Sequence, residues 1–145
     1  MGTSETMVTD TRRTDAALAV LRVLAGVVFA AHGGQKLFVY GLAGVTGAFE
    51  GMGIPLAGVA GPAVALIELV GGIALVLGVF TRFAAAGLAV VMLGAMMMVH
   101  LPGGFFLPNG IEFVLVLLGI SVALVLAGPG AFSIDQRLRA RRVQL

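Results

Sequence analysis

Apolar residues in this chain fall into four long blocks. They run from about Ala16 to Phe38, Ala57 to Phe80, Phe83 to Leu101 and Ile111 to Ala127. Each is close to the roughly 20 residues a helix needs to cross a hydrocarbon core of about 30 Å. The third and fourth are at the short end of that range, so snorkelling ends or local thinning of the bilayer go with them. The polar stretches between the blocks predict the rest. Met1–Asp15, rich in Ser, Thr and Asp, reads as disordered. It does not read as a signal peptide, because the apolar run behind it outlasts a signal core. Phe49-Glu50-Gly51-Met52-Gly53-Ile54-Pro55 reads as a short interfacial helix ended by glycine and proline. The expected fold is therefore all-α, a polytopic four-helix membrane bundle with a short extracytoplasmic interfacial helix. A disordered cytoplasmic stretch (1–15), a transmembrane domain (16–135) and a basic cytoplasmic tail (136–145) divide the chain.

Composition reinforces the pattern. Of 145 residues, 59% are hydrophobic and 11% charged, too few charges to cover a water-exposed surface. Glycine is frequent inside the blocks, as at Gly26, Gly33, Gly34, Gly71 and Gly72. In lipid, such small residues let helix backbones approach closely. There is no cysteine, which removes disulfides, thiolate metal sites and thiol chemistry on this chain. The pI near 9.9 suggests nucleic acid at first sight. However, four of the nine basic residues sit in the last nine positions, and a basic tail beside a membrane helix is a topology and lipid-headgroup signal. No nucleic-acid partner is expected; membrane lipid is.

Charge also orients the bundle. With four spans, Arg12, Arg13, Arg82, Arg137, Arg139, Arg141 and Arg142 all fall on one side, and the other side has only Lys36 at a helix end. The positive-inside rule then places both termini in the cytoplasm, with the 39–56 and 102–109 loops outside.

Ionisable residues inside the spans are the candidates for chemistry, because charge in lipid is costly and turns to the bundle interior. They are Arg22, His32, Lys36, Glu68, His100 and Glu112. At about 1.5 Å of rise per residue, all but Arg22 fall in the outer half, one or two from each helix. Arg22 and Lys36 lie about 40° apart in helical phase, and His32 and Lys36 are one turn apart. That stripe, facing inward, brings His32 and Lys36 toward Glu68 and Glu112. Such a cluster fits a ligand or proton-relay site, and it equally fits ion pairs that lock short helices together. Glu68, mid-span, carries the functional or charge-pair reading best. Lys36 and His100 lie near enough to the interface to snorkel. Arg22 can reach either the inner headgroups or Glu68. The Met96-Met97-Met98 run suggests copper, but consecutive helical residues diverge, so packing is the better reading. The His and Glu candidates lack a ligand pair at i, i+3 or i, i+4, and no metal site is assigned. The two histidines followed by glycines, in spans one and three, and the glutamates in spans two and four hint at two helical hairpins in parallel repeat.

The ordered pieces resemble a known family. They are Arg22 with Gly26, His32-Gly33, Gln35-Lys36-Leu37, Phe49 through Gly53-Ile54-Pro55, Glu68-Leu69-Val70-Gly71-Gly72 and Gly78-Val79-Phe80-Thr81-Arg82. His100, Gly104-Phe105, Asn109-Gly110-Ile111-Glu112, Gly128-Pro129-Gly130 and Ser133-Ile134-Asp135 complete the set. Spread over about Ala17 to Asp135, they resemble the DoxX family of small bacterial membrane proteins. The resemblance implies a four-helix fold in the bacterial plasma membrane and a loose link to redox chemistry. The family name looks back to a subunit of a thiosulfate:quinone oxidoreductase, and some members are associated with a complex holding superoxide dismutase and a sulfurtransferase. Two functions follow as expectations. One is a redox-associated subunit, not active alone, that binds a quinone-like or other small ligand in the outer half through His32, Lys36, Glu68, His100 and Glu112. The other is a non-catalytic scaffold that docks a soluble redox or sulfur-transfer partner, its buried charges, Arg22 among them, pairing helices. A transporter is a third, weaker option that would need a homo-oligomer for room.

Overall fold

A computed structural model describes residues 2–143 of the chain. Helix α1 (Gly2–Gly34) passes directly into a π-helical turn, Gln35–Tyr40. A positive φ at Gly41 (69°) then breaks the direction, and α2 (Gly41–Gly51) begins. Helices α3 (Ala57–Leu77) and α4 (Thr81–Ala95) follow. A second π-helical turn (Met96–His100) and a short 3-10 turn (Leu101–Gly103) extend α4. The chain ends with α5 (Glu112–Ala127) and α6 (Ile134–Val143). Three stretches are long and apolar enough to cross a membrane, Asp10–Gly51, Ala57–Leu77 and Thr81–Gly103, and Glu112–Ala127 is a shorter apolar helix. The polytopic four-helix bundle is thus present.

Two boundaries differ from the sequence reading. The polar N-terminal stretch expected to be disordered is helical from Gly2. A helix already nucleated in the span extends at little further cost, and the Thr14 hydroxyl bonds back to the Asp10 carbonyl at 2.9 Å. The interfacial helix lies earlier than expected. It is α2, and Met52–Pro55 form its exit, with the Gly53 and Ile54 N–H groups donating to Glu50 and Phe49 at 2.9 and 3.0 Å.

The helices pack in two close pairs, α1 on α3 and α4 on α5, joined chiefly through α3 on α4. Glycine makes the first pair possible. A methyl group on Gly26 would lie 2.7 Å from the Gly72 carbonyl oxygen, and one on Gly33 would overlap the Leu69 backbone. Without water to drive helix association in lipid, this close backbone approach supplies the attraction. Leu75, Leu88 and Leu124, with Phe29, form the fully buried centre. Buried Ser121 satisfies its hydroxyl on the Leu117 carbonyl one turn back, at 2.8 Å. Helix α2 lies across one end of α3, with Val45 over Gly61. The bundle therefore has a loop end, covered by α2 and the 102–111 segment, and an arginine end, where α6 and the α3–α4 turn meet.

Candidate functional site

At the loop end the bundle is not filled. A cavity of about 600 Å³ lies between α1, α3, α4 and α5, with Phe49, Met52 and Ile54 of the α2 exit at its rim. Phe29, Val91, Met92, Val114 and Leu117 form apolar wall. Four polar side chains that the sequence singled out line it: His32, Lys36, Glu68 and His100. Glu68 projects from mid-α3 and is only 4% exposed. Lys36 bonds to it directly, Nζ to Oε2. Lys36 stands in the first π-helical turn, where the wider register alters which way each side chain points relative to an unbroken α-helix. The His32 ring lies 6.1 Å from the Phe113 ring, tilted by 47°. His100 Nδ1 lies 3.2 Å from the Asn109 carbonyl oxygen. That oxygen can only accept, which puts the hydrogen on Nδ1 and leaves Nε2 for another partner.

Glu112 is not part of this constellation. Its Oε1 accepts the Leu107 N–H at 2.7 Å. The Glu112 N–H in turn donates to the Phe105 carbonyl at 3.0 Å. The carboxylate holds the turn before α5 and does not line the cavity. Among the described residues no three His, Asp or Glu side chains gather as metal ligands would.

Arg22 is buried at the opposite end and does not pair with Glu68. Its Nη1 donates to the Leu75 and Val76 carbonyls at 2.7 and 3.1 Å, and its Nη2 to the Phe132 carbonyl at 2.7 Å, while Nε is left without a partner. The expected charge pair is thus replaced by backbone contacts. The guanidinium caps the C-terminus of α3, where the helix dipole favours a cation, and it shares the Leu75 carbonyl with the Gly78 N–H, which lies 3.2 Å from that oxygen.

Asp135 does the converse, and sequence reasoning gave it no role of its own. Its two oxygens accept the Phe80 and Thr81 N–H groups at 2.9 Å each, capping the start of α4. Burial pushes the Asp135 carboxyl up, but these bonds and the charge of Arg139 outweigh it and hold the pKa below the usual carboxylate value. The Asp135 N–H also donates to Gly78 at 2.9 Å. Gly78 needs to be glycine: its φ is +70°, and a Cβ there would strike the Arg22 guanidinium. A Ser-x-Asp just past a Gly-Pro-Gly was the available signal, since Ser and Asp are capping residues. Ser133 caps α6 through a 3.2 Å bond from the Gln136 N–H.

The family model for DoxX matches residues 17–101. An uncharacterized membrane protein of Mycobacterium tuberculosis is 36% identical over 133 residues, covering 83% of this chain and 80% of its own. An uncharacterized protein of Haemophilus influenzae is 36% identical over 124 residues, covering 83% and 89%. A Bacillus subtilis protein bearing the name "Putative oxidoreductase CatD" is 32% identical over 116 residues, covering 80% and 82%. No solved structure matches the chain.

Proposed function

The chain belongs to the DoxX family of membrane proteins, and from that premise we propose that it is a redox-associated subunit that holds a quinone-like ligand in the loop-end cavity. One observation carries this reading: a Lys36–Glu68 ion pair bordering an apolar cavity of about 600 Å³. That size is ordinary for a small-molecule pocket, which combines apolar walls with a few convergent polar groups. A quinone head group needs donors at its carbonyl oxygens and protons as it is reduced. Lys36 and the histidines donate, and Glu68, paired with Lys36, relays protons. Reduction to the quinol takes two electrons and two protons. The electrons are assigned to a partner protein, since this chain has no cysteine to carry them. The name of the Bacillus subtilis relative points the same way. In this reading the arginine end faces the cytoplasm with both termini, by the positive-inside rule, and the cavity lies toward the outer surface.

The test is titration of the purified protein with menadione, a tail-less quinone, and comparison with a Lys36→Met/Glu68→Gln double variant. Removing both charges together leaves no unpaired buried ion, so thermal stability should change little. Quinone affinity should fall about tenfold or more, the loss of one charge-assisted hydrogen bond. Equal affinity in both proteins would overturn the assignment. A second reading, a non-catalytic scaffold, is favoured by the direct closure of Lys36 on Glu68, which ties α1 to α3. It predicts no quinone binding at all and a stoichiometric soluble partner on purification in mild detergent.

A further inference from the structure

The basic stretch behind the fourth span is a helix, α6, and its start is fixed to the bundle. The Asp135 carboxylate holds the Phe80 and Thr81 N–H groups, and the Asp135 N–H donates to the Gly78 carbonyl, each at 2.9 Å. Just before α6, the Ala131 N–H donates to Asp15 Oδ1 at 2.9 Å, which ties the same segment to α1. Helix α6 therefore begins at the level of the α3–α4 turn, the edge of the apolar bundle. Phe80, Phe83 and Phe132 stand open at that level, 70%, 80% and 59% exposed.

The side chains of α6 are sorted around its axis. At about 100° per residue, Ile134 and Leu138 share one face, and both are exposed. Arg137 and Arg141, one turn apart, run along an edge of that face, within about 60° of Ile134. Arg139 lies on the other flank beside Asp135, one turn before it, and its charge acts on that carboxyl. All three arginines are exposed. The acidic groups closest to them in the fold are turned to backbone: Asp15 and Asp135 both accept N–H groups. Among the described residues no arginine is in a salt bridge. The arginine end thus presents uncompensated positive charge along an open apolar stripe. An anionic membrane surface matches both features at once: the stripe enters the acyl boundary, and the arginine stems lie along it while their guanidiniums reach phosphate. We propose that α6 is a binding site for acidic phospholipid, with Ile134 and Leu138 inserted beside the bundle and Arg137 and Arg141 on the headgroups. The helix stands at the opposite end from the ligand cavity, so the assignment holds whether or not a quinone binds there.

The chain has no tryptophan, so Leu138→Trp in the full chain is a single fluorescent reporter on the proposed lipid face. The protein is reconstituted in vesicles of phosphatidylcholine and phosphatidylglycerol in equal amounts. Either lipid is then replaced by its form brominated on the acyl chains, which quenches indole on contact. Brominated phosphatidylglycerol should quench with a preference of about fivefold or more, the factor that one arginine at an anionic surface supplies. Adding Arg137→Gln and Arg141→Gln should bring the preference to about one. Adding Arg139→Gln alone should leave most of it. All three positions are exposed, so the fold should tolerate each change. Equal quenching by the two lipids before any arginine is changed would overturn recognition of acidic lipid. A loss with Arg139→Gln as large as with the pair would overturn the assignment to the Arg137–Arg141 edge. A water-exposed emission that neither lipid quenches would overturn the site altogether and leave the face to a soluble partner.

Discussion

The two ends of the bundle both hold buried charge, and they treat it differently. At the arginine end, Arg22 and Asp135 each bind backbone: one takes the last carbonyls of α3, the other the first N–H groups of α4. Together they clamp one tight turn from both sides, each with the sign that the helix dipole favours. At the loop end, Lys36 and Glu68 bind each other beside a cavity, with His32 and His100 on its lining. A charge that binds backbone is committed to the fold. A side-chain pair next to open volume can exchange one partner for a ligand. The contrast explains why Arg22, alike in cost to the others on sequence grounds, belongs to another category.

The largest effect is expected from Arg22→Met. It removes three hydrogen bonds from a charged donor, so unfolding in detergent should show a loss of about 3 kcal/mol or more. A loss below about 1 kcal/mol, the range of an ordinary surface change, would mean that this end is not clamped. Asp135→Asn should cost about 1–2 kcal/mol, because the amide has one acceptor oxygen for the two N–H groups that the carboxylate holds, and it carries a pH signature. The folded carboxyl has its pKa below the ordinary 3.8. Its contribution is therefore fully present above the unfolded value and disappears as the pH falls through the folded one. Melting curves of the unaltered protein should lose stability in that acid range by more than those of the Asn variant, and parallel curves would count against the cap. Glu112→Gln gives the smallest effect. It weakens one bond to the Leu107 N–H, for a change of about 1 kcal/mol or less. It should leave quinone-analogue affinity unmoved, because Glu112 stands outside the cavity; a clear drop would return it to the site.

Much of this was legible from the residue pattern. Four apolar blocks gave the four helices because spanning length is set by bilayer thickness. The ionisable residues within them could be named because each is costly in lipid. The pairing of Lys36 with Glu68 was also within reach, since both fall in the outer half with opposite charge and a lysine side chain is long. The placements of Arg22 and Glu112 were not. Both depend on where a backbone group from another segment arrives: Phe132 lies 110 residues from Arg22, and the Leu107 N–H is presented by a folded loop. Periodicity and rise per residue say nothing about such groups. The π-helical turns were hidden for a related reason. A π-turn shifts register by local hydrogen bonding that no residue type marks, although the two histidine–glycine pieces stand close to both of them.

The apolar pattern and the residue types were enough to establish a helical membrane bundle and to name the residues that carry charge into it. Those are properties of single helices in a medium of known thickness and polarity. Which charges meet each other, which meet backbone and where space is left became visible once the helices were packed together. Those outcomes depend on how closely glycine-faced helices approach and on which distant carbonyl or N–H they bring within about 3 Å.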